Sequence, residues 1–140
     1  MARESVKRVR LRGVADRIDL LADGSLRLID YKTGKGSGVN RTIQLPVYAF
    51  AAEQRLDEHR GRHWRIGEAG YLAFGRTDPY ILAIGASDDP ARVVDPAIAK
   101  LRGAVDRIED GQFQVTPVEP YRCVFCGYAA VCRKDYVGDS

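Results

Sequence analysis

An α/β fold, a mixed sheet flanked by helices, is what the order of elements in this chain predicts, and three observations carry the prediction. Two strand-like runs flank the turn signal Asp23-Gly24, and a helical stripe of apolar residues follows from Thr42. Two further short apolar runs then precede a second helix-like stretch that ends at Gly111. Strands and helices alternating around one sheet make a layered sandwich. A chain of 140 residues is sized for one compact domain with a core of its own. Residues 1–140 are read as a single domain, with a sheet-and-helix core at 6–110 and a cysteine-containing segment at 111–135.

Residues 6–21 and 26–31 read as antiparallel strands around Ala22-Asp23-Gly24. If these three form the loop, with Gly24 left-handed, Leu21 pairs with Ser25. Counting outward then sets Asp16 opposite Asp30 and Asp19 opposite Arg27. Alternation places Leu26, Leu28, Asp30 and Lys32 on one face with Asp16, Ile18 and Leu20. A two-residue Asp-Gly turn would send Asp16 and Asp30 to opposite faces, and alternation alone does not choose between the loops. Asp19 is expected to pair across the strands with Arg27, a structural role.

Next comes the loop Gly34-Lys35-Gly36-Ser37-Gly38, either a plain linker or a cradle for a phosphate. Thr42 is the expected cap of a helix reaching about Leu56, with Leu45, Tyr48, Ala49, Ala52 and Leu56 as its apolar stripe and Pro46 in the first turn. Residues 57–67 read as a polar connection. His59 and His63 fall there with Gly61 between them, which suits a surface loop better than a metal pair. Strands are predicted over 69–74 and 80–84 around Arg76-Thr77-Asp78-Pro79. Asp95-Pro96 is a helix start, cap then first-turn proline, and Ile98, Leu101, Val105 and Ile108 line one side up to Gly111.

The composition, 45% hydrophobic and 29% charged, is that of a globular domain and excludes a disordered chain. No apolar run approaches the roughly 20 residues of a membrane span, and the first residues lack the apolar core of a secretory signal. The expected location is therefore the cytoplasm, where three cysteines are metal ligands or free thiols rather than disulfides. A net charge of +3 does not by itself demand a nucleic-acid partner. Its placement is more suggestive: Arg8, Arg10 and Arg12 share one face of the first predicted strand, and Lys32 and Lys35 lie beside the glycine-rich loop. A charged edge strand guarding against aggregation is the competing reading.

Asp16, Asp30 and Lys32 bring two carboxylates and an ammonium to one end of a hairpin. Carboxylates fix a hard divalent cation and a lysine orients or activates an attacking water, which is what phosphodiester cleavage needs. Asp16, Asp30-Tyr31-Lys32 and Gln44-x3-Tyr48, in that order, resemble the motifs of the PD-(D/E)XK nuclease superfamily. The phrases around them, Gly13-Val14-Ala15-Asp16-Arg17-Ile18-Asp19 and Gln44-Leu45-Pro46-Val47-Tyr48-Ala49 among them, are similar to the RecB-like and AddB-like nuclease domains of bacterial helicase–nucleases. The likeness runs from about residue 11 to residue 132.

That resemblance implies a restriction-endonuclease-like core, Mg²⁺ or Mn²⁺ as cofactor, DNA as substrate, a helicase subunit or domain as partner, and no membrane. Carried over by position, Asp16, Asp30 and the Tyr31 carbonyl would hold the metal, Lys32 would be the catalytic lysine, and Gln44 and Tyr48 would face the site from the helix. Cys123-x2-Cys126-x5-Cys132 is similar to the segment that supplies three thiolates of a [4Fe–4S] cluster in AddB-like nucleases, whose fourth ligand lies far upstream. This chain has three cysteines, all in that segment. It is therefore read as a partial domain, a fragment of a larger helicase–nuclease or a reduced relative, with the parent's cluster not formed. The alternative is a catalytically inactive nuclease-fold module that binds DNA or braces a partner.

Overall fold

The computed structural model describes residues 9–36, 42–113, 117 and 120–132, and the chain divides into two compact units after Arg102. The first unit is built on a four-stranded sheet in the order β1 (Arg17–Leu20), β2 (Ser25–Lys32), β3 (Arg65–Ala73), β4 (Tyr80–Ile84). The outer pairings are antiparallel and β2 and β3 are parallel, so the sheet is mixed, as predicted. A parallel pair needs a crossover, which helix α1 (Gln44–Leu56) supplies.

The hairpin adopts the three-residue loop. Leu21 N–H donates to the Ser25 carbonyl at 2.9 Å, Gly24 has φ +89°, and the register runs from Leu20 opposite Leu26 to Arg17 opposite Ile29. Asp23 Oδ1 closes the turn by accepting from Ser25 N–H at 2.9 Å and from its hydroxyl at 2.7 Å. Continued by one residue, this register sets Asp16 opposite Asp30.

β1 is shorter than predicted. Residues 6–8, with Arg8, lie outside the described residues, and residues 9–16 form no strand, so Arg10 and Arg12 are exposed in coil rather than on a strand face. The hydrogen bonding shows the reason. In this ladder Tyr31 N–H would go to the Ala15 carbonyl, but it donates to Asp16 Oδ2 at 2.9 Å instead. A side chain has replaced the ladder bond, and pairing stops there.

Alternate β2 residues are buried, namely Leu26, Leu28 and Asp30, and the two leucines pack with Leu45 and Ala49 of α1 and with Ala69 and Tyr71 of β3. Leu28 is 1% exposed, so Leu28→Ala is expected to cost about 3 kcal/mol through lost burial and the cavity left behind. Urea unfolding would measure it, and a loss below about 1 kcal/mol would show that the core closes over the gap.

Trp64 and β3 correct the predicted polar connection. Only its first part is loop: a single 3₁₀ turn spans His59–Gly61, Trp64 is buried and donates from Nε1 to the His59 carbonyl at 2.8 Å, and β3 begins at Arg65 rather than Ala69. His63 Nδ1 lies 2.6 Å from Asp57 Oδ1 on the exposed side of this segment and holds the Asp57 carboxyl below its ordinary range. Gly67 sits where the β2–β3 register slips between Leu26 and Arg27, and a Cβ there would lie 2.9 Å from that of Ser25. The slip inserts one unpaired residue and so resets which β3 side chains face the core.

Thr42 does not cap α1. Ile43 occupies the cap position without a side-chain bond, while the Thr42 hydroxyl lies 2.7 Å from the Tyr71 hydroxyl. Helix α2 (Ala91–Glu109) also starts earlier than predicted. Asp89 Oδ1 accepts from Ala91 N–H at 3.1 Å, so the cap-then-proline signal is used at Asp89-Pro90. Pro96 therefore lies inside the helix, where it has no N–H for the Arg92 carbonyl. Val94, Ala97 and Ile98 carry the buried side of its first turns.

In the second unit the helix ends as predicted at Gly111, whose φ is +72°. Gly111 N–H donates to the Ile108 carbonyl at 3.1 Å and Gln112 N–H to that of Arg107 at 2.8 Å, a Schellman closure. Ile108 is exposed, so the expected stripe is not buried along its whole length. A 3₁₀ helix, Pro120–Phe125, and tight turns carry the cysteine segment.

Candidate active site

Asp30 lies at the end of the buried row of β2, where the apolar side chains Leu26 and Leu28 give way to polar ones. Lys32, two residues on, shares its face. Gln44, the first residue of α1, reaches both: its Nε2 donates to Asp30 Oδ1 at 2.9 Å and its Oε1 accepts from Lys32 Nζ at 3.2 Å. The ring closes through Lys32 Nζ, 2.6 Å from Asp30 Oδ2. That last contact is an ion pair, and beyond it the buried Oδ2 has no hydrogen-bond partner among the described residues. Asp30 is 5% exposed, and a carboxylate oxygen this buried is nearly always hydrogen-bonded. An unused lone pair on a fixed, buried carboxylate is a seat for a hard cation.

Electrostatics favour a charged lysine. The Asp30 carboxylate, chiefly, holds the Lys32 ammonium above the ordinary lysine range, with smaller contributions from Tyr71 and Asp16. Asp16 is thus close enough to be felt by Lys32. Its Oδ2 accepts the Tyr31 N–H, and the Tyr31 carbonyl, on the same edge of the strand, also points toward the side where β1 has ended. Two carboxylates and a carbonyl are all-oxygen donors, which suit Mg²⁺ or Mn²⁺ and not a thiolate-seeking metal. Among the described residues no group of three or more His, Cys, Asp or Glu side chains is placed to hold a metal ion.

Tyr48, one turn along α1 from Gln44, packs on the coil before β1: a Cβ on Gly13 would lie 2.9 Å from its Cε1 and 3.1 Å from its hydroxyl oxygen. A glycine is required there because the ring lies against the backbone. The sequence reading missed Tyr71 altogether. It is 1% exposed, stands beside Asp30 in the parallel β2–β3 register, and carries Lys32 Nζ 5.4 Å from its ring centroid. In sequence it is one more apolar position of a strand, and no signal marks it.

The other face of the sheet carries the structural pairs. Arg27 holds Asp19 at 2.9 Å, as predicted, and Arg17 adds a second contact at 2.8 Å; Arg17 first and then Arg27 keep the Asp19 carboxyl below its usual range. Tyr31 stacks on Phe74 with ring centroids 6.0 Å apart. Gly75 N–H donates to the Gly34 carbonyl at 3.1 Å, which fixes the root of the glycine-rich loop. Ser37 and Gly38 of that loop lie outside the described residues. Cys123 and Cys132 are half-buried and Cys126 exposed, all free, and with no metal-holding group among the described residues these three thiols do not fit a cluster site.

A mixed sheet with helices against it, and a carboxylate–lysine site at the end of its first hairpin, is the architecture of a restriction-endonuclease-like domain. The family model of the PD-(D/E)XK nuclease superfamily matches residues 1–133, and the chain belongs to that superfamily. It is 32% identical over 127 residues to the Gene 69 protein of Mycobacterium phage L5, an alignment covering 89% of this chain and 40% of that protein. The chain thus spans about two fifths of its relative's length. No solved structure matches it.

Proposed function

We propose that the chain is the catalytic module of a metal-dependent DNA nuclease, an exonuclease of RecB or AddB type serving DNA repair or recombination within a larger helicase–nuclease. The observation that supports this most is Asp30 Oδ2, buried, paired with the Lys32 ammonium and without a further hydrogen-bond partner among the described residues, at the strand end where Asp16 accepts from Tyr31 N–H. Asp16, Asp30 and the Tyr31 carbonyl would hold Mg²⁺ or Mn²⁺. Bound there, the cation supplies Lewis acidity toward a phosphate oxygen.

The chain's own groups do the rest. Lys32, kept charged by its surroundings, orients the attacking water and stabilises negative charge as it gathers on the phosphoryl oxygens. Gln44 holds Asp30 and Lys32 at once, which fixes the spacing between the carboxylate and the ammonium. Tyr48 anchors the backbone at Gly13 and so the approach to Asp16. A helicase domain or subunit would deliver the strand to this site.

Incubating the chain with single- and double-stranded DNA should give cleavage with Mg²⁺ or Mn²⁺ that stops on chelation with EDTA. Salt-sensitive DNA binding without cleavage under every metal tried would replace this reading with that of a binding module.

A further inference from the structure

Lys32 has two kinds of neighbour. One is Asp30 Oδ2, an anion at 2.6 Å. The others are Gln44 Oε1 at 3.2 Å and the face of the Tyr71 ring at 5.4 Å. A cation taken up by Asp30 weakens the first, since it shares the carboxylate's charge and the two positive charges repel. It does not compete with the second. A ring face within about 6 Å attracts an ammonium through its quadrupole, more strongly where water is excluded, and Tyr71 is fully buried.

Tyr71 also acts at its other end. Its hydroxyl lies 2.7 Å from that of Thr42, two residues before Gln44, at a helix start that has no side-chain cap of its own. One side chain on β3 therefore supports the lysine through its ring and the glutamine's helix through its hydroxyl.

We infer that Tyr71 is a positioning residue for Lys32: its ring, with the Gln44 carbonyl oxygen, seats the ammonium when Asp30 is committed to a cation. The inference rests on the nuclease reading for its consequence, but the seat itself can be observed without activity. The aromatic ring current should shift the Lys32 side-chain methylene protons upfield in the NMR spectrum of the full chain. That shift should persist in Asp30→Asn, where the anion is gone, and in Tyr71→Phe, and vanish in Tyr71→Leu. Ordinary methylene shifts in Asp30→Asn with the fold intact overturn the inference.

Activity gives the second arm. Phenylalanine at position 71, fluorinated stepwise, keeps shape and volume while its ring loses the negative face that attracts a cation. Catalytic turnover should fall with each fluorine to roughly one tenth, with KM for DNA within about twofold, and the melting temperature should hold. Turnover indifferent to fluorination overturns the inference, because a purely structural ring would behave so. Should the wild-type chain show no metal-dependent cleavage, the nuclease reading fails, while the proton shifts still decide whether Tyr71 seats the lysine.

Discussion

Asp30→Asn is expected to reduce metal-dependent DNA cleavage by roughly 10³-fold or more, equivalent to about 4 kcal/mol of transition-state stabilisation. Asparagine has nearly the same shape and can still accept from Gln44 Nε2 through its oxygen, so the helix start stays in place. What is lost is the negative charge and the buried oxygen that faces Lys32. The matched control is Asp19→Asn, on the opposite face of the same hairpin, where the carboxylate serves Arg17 and Arg27. Exposed pairs of that kind contribute about 1 kcal/mol or less, and cleavage there should stay within about twofold of wild type. Equal losses in the two variants, measured on the same DNA at the same Mg²⁺ concentration, would remove Asp30 from the active site.

Lys32→Ala should lower cleavage by about 10²-fold or more, because the group that stabilises the developing charge is gone. It should also change stability in a way that depends on the metal. Without Lys32 the Asp30 carboxylate, 5% exposed, keeps among the described residues only the hydrogen bond from Gln44. A fully buried pair broken this way costs about 3–5 kcal/mol. The Lys32 side chain is 32% exposed, so solvent screening reduces the expected loss to about 1 kcal/mol. Saturating Mg²⁺ should restore the melting temperature by supplying the missing positive charge. A variant whose melting temperature ignores Mg²⁺ would mean that Asp30 does not face a cation at all.

Local rules made the hairpin legible. Loop length and strand alternation are properties of a few neighbouring residues, so the sequence narrowed the hairpin to two registers, and the structure selects the three-residue loop that sets Leu21 against Ser25 and Asp19 against Arg27. The same rules put Lys32 on the face of Asp30, located the strand Tyr80–Ile84, and placed the stripe of α1 and the glycine that ends α2. They erred where the decisive partner is distant or where two signals of the same kind compete. Residues 9–16 have the pattern of a strand, yet the Asp16 carboxylate takes the hydrogen bond that would have extended it. Asp89-Pro90 and Asp95-Pro96 are equal as signals, and the bond from Ala91 to Asp89 marks which of them begins the helix.

From its sequence alone this chain offers the groups of its candidate site: an acid on each strand of one hairpin, a lysine two residues after the second, and a glutamine at the next helix start. Tertiary structure alone decided how those groups are held. The Thr42 hydroxyl meets that of Tyr71 while α1 starts without a side-chain cap, and the slip at Gly67 sets Tyr71 beside Asp30 with its ring under Lys32. These contacts join β2, β3 and the start of α1, segments separated in sequence. Periodicity describes which face of an element a side chain occupies, and only the pairing of elements determines what it meets there.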